Sequence, residues 1–339
     1  MSATPRESSL SVTSLFSLVT KYQSYLVLLL IFVIAAIVSP ERRGENVFLG
    51  SSNLLNVVRF ASENGIIAIG MTLVIITAGI DLSVGSVLAL CAVTSAYMMM
   101  TQDAGILLTI LTVLAVGLGA GLINGVVSTK LRIQPFIVTL AMMSVARGAA
   151  SLLADGYAIP LAYGDGEGLA PPQFRTWFGG NLEIGGWRIP VSIFYFVAIA
   201  LIASFVLNRT RFGRHIYAVG GNETASHLSG IKTDRVKIAV YAITGALVGI
   251  AAMLHAALVS QGSHIDGQGY ELNAIAAVVI GGTNLMGGIG TIGGTFIGAI
   301  ILSVLDNILG LKNVSSEYQQ ILKGLIIVLA VVLQRKRAS

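Results

Sequence analysis

Charge is scarce in this chain. Only 11% of its 339 residues are Asp, Glu, Lys or Arg, against about 25% in a soluble domain. So few charges cannot cover a water-exposed surface of this size, which excludes an ordinary soluble globular protein. Cysteine is nearly absent: Cys91 stands alone in an apolar run, excluding a disulfide framework and a thiolate metal site. The four histidines, His215, His227, His255 and His264, are scattered with no HExxH pair, and each is read as a loop or packing residue. No GxxxxGK[ST] occurs, so any ATP chemistry must belong to another chain. Gly288–Gly293 matches GxGxxG, but neither a preceding strand nor a following ribose-binding acid gives it a dinucleotide-binding context. The net charge of +5 could suggest nucleic acid. That partner is rejected, because the basic residues flank apolar segments, where one sign of charge has a topological cause.

What the chain does have is long apolar stretches. Hydrophobic residues make up 55% and mean hydropathy is +0.83. Crossing the hydrocarbon takes about 20 apolar residues, and such windows fall near 22–39, 60–79, 83–100, 105–128, 135–154, 190–207, 237–258, 271–287, 290–309 and 318–334. The expected fold is therefore all-α: a polytopic membrane protein of about ten transmembrane helices. The pairs around Gly79–Gly85 and Gly281–Gly290 could instead be broken or re-entrant helices. With the N-terminus inside, thirteen Lys and Arg fall in inner segments and six in outer ones, which places both termini in the cytoplasm. Residues 1–21 form an interfacial segment, with Val12, Leu15, Phe16 and Val19 at helical spacing. Residues 22–334 form one membrane domain, and 335–339 a basic tail.

Gly117, Gly121 and Gly125 recur at intervals of four, as do Gly290, Gly294 and Gly298; Gly245 and Gly249 add a pair. Small residues on one helical face let backbones approach closely in lipid, and intramolecular packing is the preferred role. Ionisable groups inside spans are functional candidates by default. Arg147 either lines a polar cavity or snorkels to an interface. Asp81, in AGIDLSVGS, either fastens the start of the next helix or faces a solute. Glu63, Glu271 and Lys323 are expected near span ends, reaching water, while Asp306 and Asn307 mark a deeper interhelical contact. Asn124, Thr139 and Asn273 are neutral hydrogen-bonding groups suited to a polyhydroxylated solute or to helix–helix contacts. Two outer segments, 155–188 and 260–270, would form the external mouth of any pathway.

One long hydrophilic segment, 208–237, separates two spans and carries six basic residues against Glu223 and Asp234. Asn222 is placed to cap a short helix over Glu223–Ser229, with Gly230 just past its end. Isolated helices so short are marginal in water, so this one needs a surface to pack against, either its own protein or a soluble subunit.

Four blocks carry a family resemblance: AIGMTLVIITAGIDLSVGSVLAL (68–90), NGVVSTKLRIQPFIVTLAMMSVARG (124–148), RTRFGRHIYAVGGNETASHLSGI (209–231) and ELNAIAAVVIGGTNLMGGIGTIGGTFIGAI (271–300). They resemble the ribose-type monosaccharide permeases of ABC importers, from about residue 20 to 335. The resemblance implies a permease in the bacterial inner membrane, in contact with membrane lipid and paired with a second copy or a paralogue. A cytoplasmic ABC ATPase would use ATP and Mg²⁺, and a periplasmic sugar-binding protein would dock outside; the chain itself would bind no cofactor and no metal. ATPase coupling would fall on Arg211, Gly213, Arg214, Asn222, Glu223, Thr224, Ala225, Leu228 and Gly230. Candidate pathway residues are Asp81, Asn124, Phe136, Thr139, Arg147 and Asn273. Where relatives commonly carry Asp, this chain reads Asn273, so an anionic group expected near the outer end of that span is absent. A stand-alone carrier or facilitator is the alternative. An intramembrane enzyme lacks any nucleophile–base or metal-ligand spacing.

Overall fold

The computed structural model describes residues 23–338. The expected interfacial segment 1–21 therefore lies outside the described residues, as does Ser339. The helices are α1 Gln23–Val38, α2 Ser51–Ile76, α3 Val84–Met100, α4 Ile106–Lys130, α5 Pro135–Leu153, α6 Pro172–Phe174, α7 Val191–Arg209, α8 Arg211–Gly221, α9 Glu223–Leu228, α10 Thr233–Val259, α11 Tyr270–Ile280, α12 Ile292–Leu311 and α13 Ser316–Ala338. Residues 335–338, expected to form a separate tail, continue α13. Short antiparallel pairs are the departure from an all-α fold: β1 Glu41–Arg42 with β2 Glu45–Asn46, β3 Ile159–Pro160 with β6 Gln261–Gly262, and β4 Asn181–Ile184 with β5 Trp187–Pro190.

Among the described residues, six helices are long and apolar enough to cross a membrane: α2, α4, α5, α7, α10 and α12. Shorter apolar helices are α1, α3 and α11. At 1.5 Å per residue, α11 spans only about 17 Å, well under the roughly 30 Å of hydrocarbon. Both anticipated breaks are present, between α2 and α3 and between α11 and α12.

Two glycine ladders set the centre of the bundle. A Cβ on Gly117 would lie 2.3 Å from the carbonyl oxygen of Gly245, and one on Gly245 would lie 2.0 Å from that of Gly117. A Cβ on Gly121 would stand 2.2 Å from the Tyr241 carbonyl oxygen. Thus α4 and α10 touch backbone to backbone, and no other residue type fits these positions without movement. The glycine spacing serves intramolecular packing, as the sequence pattern suggests. The same device joins α11 to α12, where Gly294 faces the Gly281 carbonyl and Gly298 that of Ala277. Lipid offers no hydrophobic drive for helix association, so such contact, with interhelical hydrogen bonds, holds the bundle. The hydroxyls of Thr72 on α2 and Thr295 on α12 are 2.6 Å apart and buried, and Thr244 on α10 donates to the Gly70 carbonyl at 3.1 Å. Outward faces of α4, α5 and α7 carry exposed Leu, Ile, Val and Phe, the surface that lipid chains would cover.

Gly121→Ala should destabilise the protein by overpacking, typically about 1–3 kcal/mol, and lower its melting midpoint in detergent. Gly119→Ala, whose added Cβ meets nothing within 4 Å, should be neutral or stabilising. Equal midpoints for the two variants would contradict the interlock.

Candidate functional site

The two helix breaks are built alike and meet. At the first, Ala78 takes a left-handed conformation (φ 59°). The Ala78 N–H donates to the Ile75 carbonyl and that of Gly79 to the Val74 carbonyl, at 2.9 and 3.0 Å. At the second, Gly282 (φ 90°) does the same, its N–H donating to Val279 and that of Thr283 to Val278. This is the Schellman ending, in which a left-handed residue folds the chain back onto orphan carbonyls. The carbonyl of Ile76, left free by the first break, accepts from the Gly288 N–H of the second at 2.9 Å.

The helix α8 seals this junction. A Cβ on Gly220 would lie 1.6 Å from the Ile76 oxygen, and Gly288 packs against the Gly221 backbone. The Tyr217 hydroxyl donates to the Gly290 carbonyl at 2.7 Å. The expected pattern placed no helix before Asn222, yet Thr210 caps α8 by accepting from the Gly213 N–H at 3.2 Å. Phe212, Ile216 and Val219 recur at helical spacing with Ile216 and Val219 buried, a signal that the high local charge obscured. A Cβ on Gly213 would lie 2.1 Å from the Leu207 carbonyl oxygen, which is why the α7–α8 corner needs glycine.

Beyond α8, the short helix α9 forms as its sequence suggests. Asn222 Oδ1 accepts from the Ala225 N–H at 2.9 Å. Gly230 (φ 86°) closes the far end, with the Ile231 N–H donating to the Ser226 carbonyl at 3.1 Å. Glu223 Oε2 is 2.5 Å from Lys237 Nζ, tying α9 to α10. Only Ser226 of α9 is buried, and Leu228 is 81% exposed. Arg211 and Arg214 are exposed on the neighbouring α8.

Three of the candidate pathway residues gather at the first break. Asp81 Oδ1 accepts from the Ser83 backbone N–H at 2.9 Å and from its hydroxyl at 2.6 Å. Ser83 Oγ in turn accepts from Asn124 Nδ2 at 2.9 Å. The Thr139 and Tyr241 hydroxyls each donate to the Ile80 carbonyl at 3.3 Å. Asp81, Asn124 and Thr139 are all buried. The chain of bonds pins residues 80–83 to α4, α5 and α10, so fastening, one of the two roles open to Asp81, is what its contacts provide.

The other candidates lie elsewhere. Phe136 is half-exposed on α5. Arg147 holds the irregular segment 260–269, donating to the carbonyls of His264 and Asp266, the latter at 2.7 Å. That segment runs antiparallel along α3: a Cβ on Gly262 would meet the Ala92 carbonyl, and one on Gly267 that of Gly85. Non-helical backbone at membrane depth is tolerated only where protein satisfies it. Here Arg147 serves two carbonyls and Asp266 Oδ2 accepts from the Ser263 N–H at 2.8 Å. Pairing of β3 with β6 joins the two expected mouth segments.

Three expectations are corrected, those for Glu63, His255 and Lys323. Glu63 does not reach water; it is 2% exposed, with Oε2 3.0 Å from His255 Nδ1. Its helix begins at Ser51, so Glu63 is not at a span end; Asn53, Asn56 and Arg59 dilute the hydropathy of the first turns and hide that start in the sequence. His255 is consequently a polar partner, with Nε2 3.6 Å from Asp266 Oδ1. Lys323 is likewise drawn inward, its Nζ 2.9 Å from Asp306 Oδ2, which makes Asp306 the interhelical contact anticipated. Asn273 lines a cavity of about 400 Å³ with Asn64, Asn307, Asp306 and Lys323, a grouping invisible in sequence because its residues come from four separate segments.

A bundle with two interlocked helix breaks, bound on one side to the α8–α9 unit and holding six helices long and apolar enough to cross a membrane among the described residues, is that of a multi-pass membrane protein. The sequence profile described as "Branched-chain amino acid transport system / permease component" matches residues 53–331, and the chain belongs to that permease family. It is 41% identical over 315 residues to the ribose import permease of Escherichia coli (strain K12), covering 93% of this chain and 94% of that protein. It is 34% identical to the galactose/methyl galactoside import permease of Haemophilus influenzae, covering 96% and 97%. A metal-chelate type ABC transporter solved in an inward-facing conformation has the same fold at a TM-score of 0.53 and 15% identity, covering 93% of this chain and 98% of that one.

Arg147→Ala should leave the two carbonyls of the 263–266 stretch unsatisfied, each costing about 1–3 kcal/mol. A drop of several degrees in melting midpoint is expected, with faster proteolysis inside 260–269. An unchanged midpoint and cleavage pattern would show that the clamp does not hold this segment.

Proposed function

We propose that this chain is the transmembrane permease subunit of a bacterial ABC importer for a monosaccharide. In this reading it sits in the inner membrane with ten spans and both termini cytoplasmic. The α8–α9 unit then faces the cytoplasm, in keeping with its basic residues. A second permease copy or a paralogue would complete the pathway, a cytoplasmic ATPase would bind ATP and Mg²⁺, and a periplasmic sugar-binding protein would dock at the face carrying 155–190 and 260–269.

The cargo class is supported by full-length kinship with ribose and galactose permeases. The coupling is supported by one observation above the rest: Gly220 and Gly221 bear on both helix breaks at once. A six-residue helix exposed on nearly every side has little stability of its own, and its free Leu228 fits a hydrophobic seat in a soluble subunit. When the ATPase closes, α9 moves, α8 moves with it, and both breaks receive the displacement. Rigid helices beyond the breaks then rock between outward- and inward-open arrangements. No catalytic step belongs to this chain.

The test is reconstitution with the ATPase and the binding protein. Arg211→Glu with Arg214→Glu, or Leu228→Asp alone, should reduce sugar uptake to about a tenth or less, as loss of a central interface anchor does, and weaken ATPase co-purification. Normal uptake with an intact complex would count against the assignment of this unit. Solute flux through liposomes holding the chain alone would favour a carrier or facilitator instead.

A further inference from the structure

The cavity of about 400 Å³ that opens between α2, the start of α11, α12 and α13 plays no part in fastening the helix breaks. Its volume lies within the range of small-ligand sites, about 300–1,000 Å³. Its polar lining comes from Asn64, Gln268, Asn273, Asp306, Asn307 and Lys323, and the aromatic rings of Phe60 and Tyr270 add flat apolar walls. Asn307 is fixed by reciprocal amide bonds with Asn53 at 2.8 and 3.0 Å, and Asp306 Oδ2 by Lys323 at 2.9 Å. Asn64 Oδ1 and Asp306 Oδ1, by contrast, are buried without a hydrogen-bond partner among the described residues. Buried polar atoms in proteins are normally satisfied, so these two acceptors point to a hydroxyl-bearing visitor.

We infer that this cavity is a transient binding site for a neutral polyhydroxylated solute of monosaccharide size, with Asn64 and Asn273 as its amide contacts. The inference rests on the importer reading above and locates the cargo within it. Neutrality follows from the lining: Asp306 and Lys323 cancel, and the remaining polar groups are amides and the hydroxyls of Tyr270 and Ser303. Amide oxygens and Asp306 Oδ1 accept from sugar hydroxyls, amide nitrogens donate to them, and an aromatic face suits the C–H side of a sugar ring. An anion would lack an uncompensated cation here, and an apolar solute would strand the acceptors.

The experiment uses the permease reconstituted with its ATPase and binding protein, and labelled D-ribose, D-xylose and D-galactose as probes. Asn64→Leu combined with Asn273→Leu should reduce uptake about tenfold or more at equal complex yield, because a site built to hydrogen-bond its ligand loses it when the groups are removed. Independently, Asn273→Cys in a Cys91→Ala background should react with a hydrophilic methanethiosulfonate, and saturating sugar should slow that reaction. The native Cys91 is fully buried, so its replacement removes little background. Wild-type uptake by the double leucine variant would overturn the site. So would labelling of the Asn273→Cys variant at a rate that ignores sugar, even if the double leucine variant fails to assemble. A wild-type complex that imports none of the three sugars would instead strike the importer reading itself.

Discussion

Close approach of backbone to backbone, possible only where side chains are missing, is the constraint on which this bundle depends. Helices in lipid gain little by burying apolar surface, since the chains around them are equally apolar. What remains is dispersion, which falls steeply with distance, and hydrogen bonding. Gly117, Gly121 and Gly245 bring α4 and α10 into direct contact, and Gly281, Gly294 and Gly298 do the same for α11 and α12. These contacts fix the depth of α10 against the rest, and with it the positions of Tyr241, Thr244 and His255. The polar network is therefore hung on the glycine frame rather than the reverse.

The breaks answer a different problem. A helix that stops inside a membrane protein exposes carbonyls and amides that water cannot reach, each costly unless satisfied. Here the two stops satisfy one another: Ile76 lends its carbonyl to Gly288, and Tyr217 donates to Gly290. Because α8 supplies part of that satisfaction, it cannot move without disturbing the hydrogen bonds of both stops. A rigid link is what the coupling role proposed for α8 requires. The tight fit of Gly220 against Ile76 means that displacement pushes on backbone, with no flexible side chain to absorb it.

Much of the helical layout was legible, because hydropathy windows, Gly spacing and the Asn222–Gly230 caps are local signals. Both breaks were visible from Gly79, Asp81 and the run from Gly281 to Gly290. The fastening role of Asp81 was readable because Asp before Ser at a helix start has a specific hydrogen-bonding use. Other features were not local. Glu63 read as a span end because polar residues in the first turns of α2 hide its helical start, and its partner His255 is distant in sequence. The amphipathic character of α8 is masked by Arg209, Arg211 and Arg214, whose charge offsets the hydropathy of Phe212, Ile216 and Val219. Asn64, Asn273, Asp306 and Lys323 share a cavity only after four segments have folded together.

That division of labour between local and assembled features bears on how the chain works. The α8–α9 unit is encoded in one continuous stretch, where caps and the apolar spacing of Phe212, Ile216 and Val219 are local signals. The cavity is encoded diffusely, so single changes in Asn64, Asn273 or Asn307 can alter its chemistry without touching the glycine frame or the junction of the breaks. A permease family can thus keep one mechanical core while its members handle different solutes. Relatives whose names specify ribose and galactose, each matching this chain over more than nine-tenths of its length, are what such an arrangement would produce. On the proposed reading, cargo would be decided where helices converge, and force would be received where the chain is short, charged and exposed.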